Sequence, residues 1–377
     1  MELKSITNVD VRGKRVILRA GLNVPTSHGR VVDDFRLAKA AQTISFLVAK
    51  GARVLLLGHL GREKESLRPV IEALQGHLPG NKVVLHDNPL EDIARIFESS
   101  PPKQIFALEN VRRFEGEETN DPVLAEKFAK LGDVYVNDAF ADSHREHVSI
   151  VGIPKHLPSY AGLLVEEEVL KLKDAREPQR PALAIVGGAK FETKEPLIEK
   201  LVGIYDRVCV GGAIVNDFFK AQGFNVGESL VSGRGPSEKL LSNQRIEIPS
   251  DIVAVKSDNS ARTTIPADVR NDEKILDSGP GTGRRWAQYV LDAQFVLMNG
   301  PLGVYERGFN AETERLAHAL TASNARAVVG GGDTIAAIQK TNFDPERIFL
   351  STGGGAMLEF LATGTLVGLQ PLWAKEK

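Results

Sequence analysis

The sequence is poor in the residues on which several protein classes depend. Its 377 residues include a single cysteine, Cys209, inside the apolar run RVCV. One thiol closes no internal disulfide, so a disulfide scaffold is excluded, and Cys209 reads as small core filler suited to a reducing cytoplasm. No stretch approaches the roughly 18 apolar residues of a membrane span. The opening MELKSITNVD lacks the apolar centre of a secretory signal, so cytoplasmic localisation and no membrane partner are expected. An excess of positive charge is also missing. Lys and Arg total 47 against 49 Asp and Glu, a formal net charge of −2, which gives no global field for nucleic acid. Two nucleotide signatures are absent as well. No G-x-x-x-x-G-K-[ST] occurs, and GPGTGRR (279–285) lacks the third glycine of a dinucleotide fingerprint. A Walker P-loop and a nicotinamide-dependent dehydrogenase are therefore not indicated.

What is present is the balance of a globular protein, 42% hydrophobic and 25% charged, at a length sufficient for two or three domains. Short β-branched runs alternate with helical spacing throughout. Strands are expected near 15–19, 53–57, 82–86, 104–108 and 133–137, with helices over 36–50, 68–78 and 123–131. The second half continues with strands at 182–186, 207–210, 251–255, 295–298, 326–329 and 347–350. Such alternation predicts parallel sheets covered on both faces. The charged segment 162–181, helical at first and ending in Pro178 and Pro181, reads as an interdomain connector. The expected organisation is α/β, with two doubly wound, Rossmann-like domains over 1–175 and 176–365 joined by a hinge helix.

Ligands of open parallel sheets sit beyond the carboxyl ends of the strands. In the second half glycine follows the strands: GGAK (187–190), GGA (211–213), NGPLG (299–303), GGGDT (330–334) and STGGGA (351–356). Each alone fits either a tight turn or an anion drawn to a helix start; five in succession suggest a floor for a polyphosphate. In the first half the strand ends carry hydrogen-bonding and cationic residues instead: Asn23, His59 and Arg62, Arg112 and Arg113, His144 and Arg145, with Arg36 opening the first long helix. That set suits capture of carboxylate and phosphate oxygens. Only one of Arg112 and Arg113 need point inward. His144 and His147 fit structural hydrogen bonds or the anion patch better than a metal site.

These motifs resemble phosphoglycerate kinases. KRVILRAGLNVP (14–25), DDFRL (33–37), GHLGR (58–62), LENVRRFEGEE (108–118), YVNDAFADSHREH (135–147), GGAKFETK (187–194), NGPLGVYE (299–306), GGGDT and STGGGA carry the likeness in the family's order, from near residue 4 onward. The resemblance implies reversible phosphoryl transfer between 1,3-bisphosphoglycerate and ADP, giving 3-phosphoglycerate and ATP with Mg²⁺. It implies hinge closure, a monomer, and a C-terminal tail near 366–377 that returns to the first domain. By motif match, Gly21, Asn23, Arg36, His59, Arg62, Arg112 and Arg145 belong to the phosphoglycerate site. Gly188, Lys190, Lys194, Gly211, Gly212, Asn299, Pro301, Glu306, Gly331, Gly332, Asp333 and Thr334 belong to the nucleotide site, with Asp333 toward the metal. Arg36, Lys190, Gly353 and Gly354 are assigned to the transfer itself.

The chain departs from the family pattern at several points. Gly21 stands where an aspartate is usual, Thr193 replaces the aspartate before the second lysine, and Gly58 and Glu63 replace a serine and a proline. Ala141–Asp142 replaces Gly–Thr, so Asp142 is expected to compensate in part for Gly21. The reading that follows is an active kinase with an altered glycerate pocket; the alternative is a catalytically weak nucleotide-binding relative with a regulatory or scaffold role.

Overall fold

Successive residues of the first-half strands bury opposite sides, and this pattern is what a sheet covered on both faces requires. In the computed structural model, which describes residues 2–62, 65–88, 90–99 and 104–374, those strands are β1 (Arg15–Ala20), β4 (Arg53–Leu57), β5 (Lys82–His86), β6 (Gln104–Leu108), β7 (Val134–Asp138) and the short β8 (Ser159–Ala161); β2 (Thr26–Ser27) and β3 (Arg30–Val31) form a separate hairpin. They order as β5-β6-β4-β1-β7-β8, with parallel pairing throughout. Val16, Leu18, Val54, Leu56, Ile105 and Val136 face one way, onto Leu37, Ile44 and Leu47 of α1 (Phe35–Ala49) and Val70 and Leu74 of α2 (Arg68–Gly76). Ile17, Leu55, Leu57, Phe106 and Tyr135 face the other, onto α3 (Leu90–Glu98) and α4 (Pro122–Ala129) through Phe97 and Phe128. Asp121 caps α4 by accepting Leu124 N–H at 2.7 Å, with Pro122 at the first helical position, a start signal readable in the sequence.

The second set of strands is β9 (Ala182–Val186), β10 (Arg207–Val210), β11 (Ile246–Glu247), β15 (Phe295–Asn299), β16 (Arg326–Gly330) and β17 (Ile348–Leu350). These form a second parallel sheet in the order β11-β10-β9-β15-β16-β17. One expectation is corrected here. The strand near 251–255, β12 (Ile252–Lys256), lies outside the parallel sheet. It is the centre of an antiparallel sheet with β13 (Ala261–Thr264) and β14 (Glu273–Ser278). The cause is the tight connection after it: Asp258 accepts Ser260 N–H at 2.8 Å, and Asn259 takes the left-handed conformation, φ +64°. That turn reverses the chain before any crossover helix can form.

Helices α6 (Phe191–Ile204), α7 (Val215–Ala221), α8 (Glu238–Leu241), α9 (Pro280–Asp292), α10 (Ala311–Ala322), α11 (Gly332–Gln339) and α12 (Gly355–Thr363) complete this half. The chain forms two units, Met1–Leu170 together with Thr365–Lys377, and Lys171–Gly364. The division falls inside α5 (Leu163–Arg176), the helix of the expected connector. Within the first unit Lys4 N–H donates to Leu372 O at 2.7 Å, and Gly368 N–H to Ser143 O at 2.8 Å. Among the described residues no helix is long and apolar enough to cross a membrane.

Candidate functional site

In the first unit β6, β4, β1 and β7 lie side by side, and the order reverses between β4 and β7 across β1. The residues that follow these four strands therefore converge at one sheet edge, as at other topological switch points. Asn23 and Arg36 meet there: Arg36 Nη1 donates to Asn23 O at 2.8 Å, and Asn23 Oδ1 accepts Gly61 N–H at 3.1 Å. Arg112 Nη1 in turn donates to Gly61 O. Arg112 is buried and lies 3.3 Å from Glu118, whereas Arg113 faces outward toward Asp87 and Glu109. The inward member of that pair is thus Arg112. Arg62 is exposed at the tip of the same loop. Glu63 lies outside the described residues.

The centre of this edge is a residue that motif reading passed over. Arg19, near the end of β1, is only 1% exposed. Its guanidinium spends every nitrogen: Nε donates to Ser149 Oγ at 3.0 Å, Nη1 to Ala20 O at 2.6 Å, and Nη2 to His59 Nδ1 at 2.9 Å. Asp142 Oδ2 stands 3.1 Å from the same Nη2 and 3.6 Å from His59 Nδ1. Behind Ser149, the buried Glu117 accepts both its hydroxyl and its N–H. Arg145 is half-buried, with Nε 4.0 Å from Asp142 Oδ1, a range for charge attraction and not for a hydrogen bond. Burial pushes the Asp142 carboxyl up, but the neighbouring guanidinium groups, Arg19 before Arg145 and Arg36, hold it below its usual value. His59 is driven down to about 3, first by burial and then by Arg19, Arg112 and Arg145, against an opposing pull from Asp142. His147 falls to about 4, again chiefly by burial.

A Cβ at Gly21 would meet nothing within 4 Å, so an aspartate there has room. Gly58 differs: its Cβ would lie 2.4 Å from Leu22 Cδ1, so Leu22 fills the space a serine would need.

In the second unit the glycines fall into two kinds. Gly187, Gly211, Gly212 and Gly300 are packing glycines, with Cβ positions 2.2–2.6 Å from Pro301 O, Leu302 Cδ2, Gly188 N and Gly187 O. They interlock the turns after β9, β10 and β15. Gly188, Gly332 and Gly354 face open space, the nearest atom to any of their Cβ positions being Lys194 Cε at 3.8 Å from Gly188. Gly354 caps α12 at φ +50°, ψ −116°, a conformation reserved for glycine. Gly353 N–H is already given to Ser351 Oγ at 3.1 Å. Gly331 takes φ +92° ahead of α11.

Lys190 is exposed at the N-cap of α6, and Thr193 Oγ donates to its carbonyl at 2.9 Å, which holds the helix start. Lys194, one turn later, is 9% exposed and donates to Asn299 Oδ1. Burial brings its ammonium down to about 8. Gly188, Gly212, Pro301, Glu306 and Asp333 share the lining of one cavity of about 180 Å³ with Leu276, Ser278 and Tyr305. That volume is of the size of one small ring system. Asp333, in the first turn of α11, is raised by burial and by Glu306. Thr334 is fully buried, and its hydroxyl has no partner among the described residues.

A family model described as phosphoglycerate kinase matches residues 6–364. The chain is similar to the phosphoglycerate kinases of Rubrobacter xylanophilus, 39% identical over 394 residues and covering 100% of each chain, and of Thermus thermophilus, 38% identical over 398 residues and covering 98% of this chain and 100% of that one. Among solved structures it is similar to the phosphoglycerate kinase of Coxiella burnetii, with TM-score 0.80, 35% identity and coverage of 98% and 99%. The Pyrococcus horikoshii enzyme gives TM-score 0.84 at 27% identity, with 98% of each chain covered.

Proposed function

The chain belongs to the phosphoglycerate kinase family, and from that premise we propose how its residues carry out reversible phosphoryl transfer between 1,3-bisphosphoglycerate and ADP, giving 3-phosphoglycerate and ATP. The observation that carries the assignment is the contrast between the two sheet edges. One gathers hydrogen-bond donors after four adjacent strands; the other offers open-fronted glycines and two lysines at helix starts.

Arg36, Arg62, Arg112, Arg145 and His59 bind the phosphoglycerate, and Asn23 organises them through Arg36 and Gly61. Arg36 steadies the acceptor carboxylate. Because that carboxylate is already ionised, no general base is needed, and catalysis reduces to alignment and charge stabilisation. The cavity takes the nucleoside of ATP or ADP: Gly212 and Pro301 flank the base and Glu306 the ribose, with Gly211 packed behind them against Leu302. Gly188, Gly331, Gly332 and Thr334 hold phosphate oxygens. Thr334 supplies a hydroxyl that has no partner among the described residues. Lys194, oriented by Asn299, neutralises terminal phosphate, while Lys190 meets the phosphoryl group in transit. Gly354 opens the start of α12 to that group; Gly353 N–H is committed to Ser351 and shapes the turn.

A single half-buried carboxylate, Asp333, fits a Mg²⁺ that arrives on the phosphates, since this ion is commonly held by one or two carboxylates plus substrate oxygens. Bound there, the ion would screen charge between the phosphates. The acid and the nucleotide are held on separate units that α5 connects, and we place the enzyme in the cytoplasm as a monomer.

The test is a coupled assay with ATP, Mg²⁺ and 3-phosphoglycerate that follows acyl phosphate formation. Lys190→Ala should lower kcat by about 10²-fold or more while ADP binding survives, as expected for a group acting mainly in the transition state. Unchanged turnover in that variant would remove Lys190 from the transfer step.

A further inference from the structure

We propose that Arg19 and Asp142 lock His59 in its neutral Nε2–H tautomer, making it a fixed, uncharged hydrogen-bond donor on the acid-binding edge. The argument starts from what each group can do. A guanidinium only donates, and an imidazole nitrogen that accepts carries no proton. Arg19 Nη2 lies 2.9 Å from His59 Nδ1, a hydrogen-bond distance, while Asp142 Oδ2 lies 3.6 Å from it, beyond one. Nδ1 is therefore the acceptor, and the ring proton sits on Nε2. A protonated ring would set two donors face to face across 2.9 Å.

Arg19 is not free to turn away. Ser149 Oγ and Ala20 O hold its other nitrogens, and Glu117 anchors Ser149 from behind. Asp142, on the turn after β7, balances the charge of Arg19 and keeps Nη2 in place at 3.1 Å. Neither residue need touch substrate; both are positioning residues that act through the imidazole.

The other end of the ring shows what the lock is for. His59 Nε2 is buried and has no partner among the described residues. A buried donor left unpaired is costly, so this N–H is set toward an oxygen that the described residues do not supply. Following the reading proposed above, that oxygen belongs to the phosphorylated three-carbon acid. The charged groups facing His59 are Arg19 from β1, Asp142 and Arg145 from the turns after β7, and Arg112 after β6. Three cations against one carboxylate oppose an imidazolium, in keeping with its value of about 3. The edge thus gains directionality without a further positive charge and without titrating between pH 5 and 8.

The tautomer can be read directly from the full chain labelled with ¹⁵N-histidine, using long-range ¹H–¹⁵N correlation and assigning His59 by its loss in His59→Gln. The expected spectrum shows an unprotonated Nδ1 and a protonated Nε2, unchanged from pH 5 to 8. A proton on Nδ1, or an imidazolium titrating within that range, overturns the proposal. In Arg19→Met the donor to Nδ1 is gone and Asp142 Oδ2 is the acceptor nearest that nitrogen, so the proton should move to Nδ1 in the same correlation. A ring that keeps the original tautomer without Arg19 also overturns it. If Arg19→Met does not fold, the spectrum of the unaltered chain decides alone. Because that spectrum involves no turnover, failure of the lock and failure of the kinase assignment are distinguished by the coupled assay.

Discussion

Single side chains at the two edges have separable consequences. Gly21 has room for a side chain and a carboxylate next to the glycerate would accept its hydroxyl, so Gly21→Asp should lower the KM for 3-phosphoglycerate, roughly three- to tenfold for a gained hydrogen bond of about 1 kcal/mol. Steady-state kinetics checks this, and an unchanged KM would count against a role of position 21 in binding the glycerate. Lys194 makes the second case. Its ammonium loses its proton near pH 8 in the free protein, so the favourable charge is present below that value and fades above it. The Kd for ADP should rise up to about tenfold between pH 7 and 9, given about 1.4 kcal/mol per decade, and Lys194→Met should abolish the dependence. Calorimetric titration at several pH values would show it. Arg36, Arg112, Lys190 and Lys194 enter the candidate site through motifs that the sequence displays. Arg19 was not legible, because an arginine inside RVILRA reads as part of a strand. The usable signal was its setting, a charge within a strand buried on both faces, which needs buried partners.

At the level of elements, most strands were legible because central parallel strands are apolar on both sides. β8 was missed for the opposite reason: it is three residues long, sits at the edge and begins with Ser159. β12 was found but placed in the wrong sheet, since an apolar run of five does not declare whether a turn or a helix will follow it. The junction between β7 and α5 carries a prediction of its own. Asp138 ends β7, is fully buried, and accepts Leu164 N–H at the start of α5 at 2.9 Å. Burial raises its carboxyl to about 7. The folded chain therefore keeps a proton that the unfolded chain, titrating near 3.9, has lost. Stability from this group is complete below about pH 4 and declines as the pH rises through 7. Asp138→Asn carries no such proton, so its advantage over the parent in urea denaturation should grow between pH 4 and 7, by on the order of 1–4 kcal/mol. Parallel stability curves would contradict this.

At the scale of the whole molecule, the tail ties a distant part of the sequence to the acid-binding turn. Gly368 donates to Ser143 O, and Asn137 Nδ2 reaches Gly368 O at 3.2 Å. A Cβ at Gly368 would sit 2.6 Å from Ile150 Cγ2 and 2.9 Å from Ser143 O. Ser143 is the neighbour of Asp142, so Gly368→Ala should raise the KM for 3-phosphoglycerate several-fold while the Kd for ADP, held in the other unit, stays within about twofold. Paired kinetics and binding measurements on one preparation would separate this from general loosening, which moves both. The same tail bears on biosynthesis. Residues 1–170 leave the ribosome first, yet their unit closes only with a segment translated after Gly364. Lys171–Gly364 is continuous and carries all of its own segments as it emerges, whereas the partners that Ser143 O and Asn137 Nδ2 find on Gly368 are translated only after the other unit is complete, against the usual amino-terminal-first order.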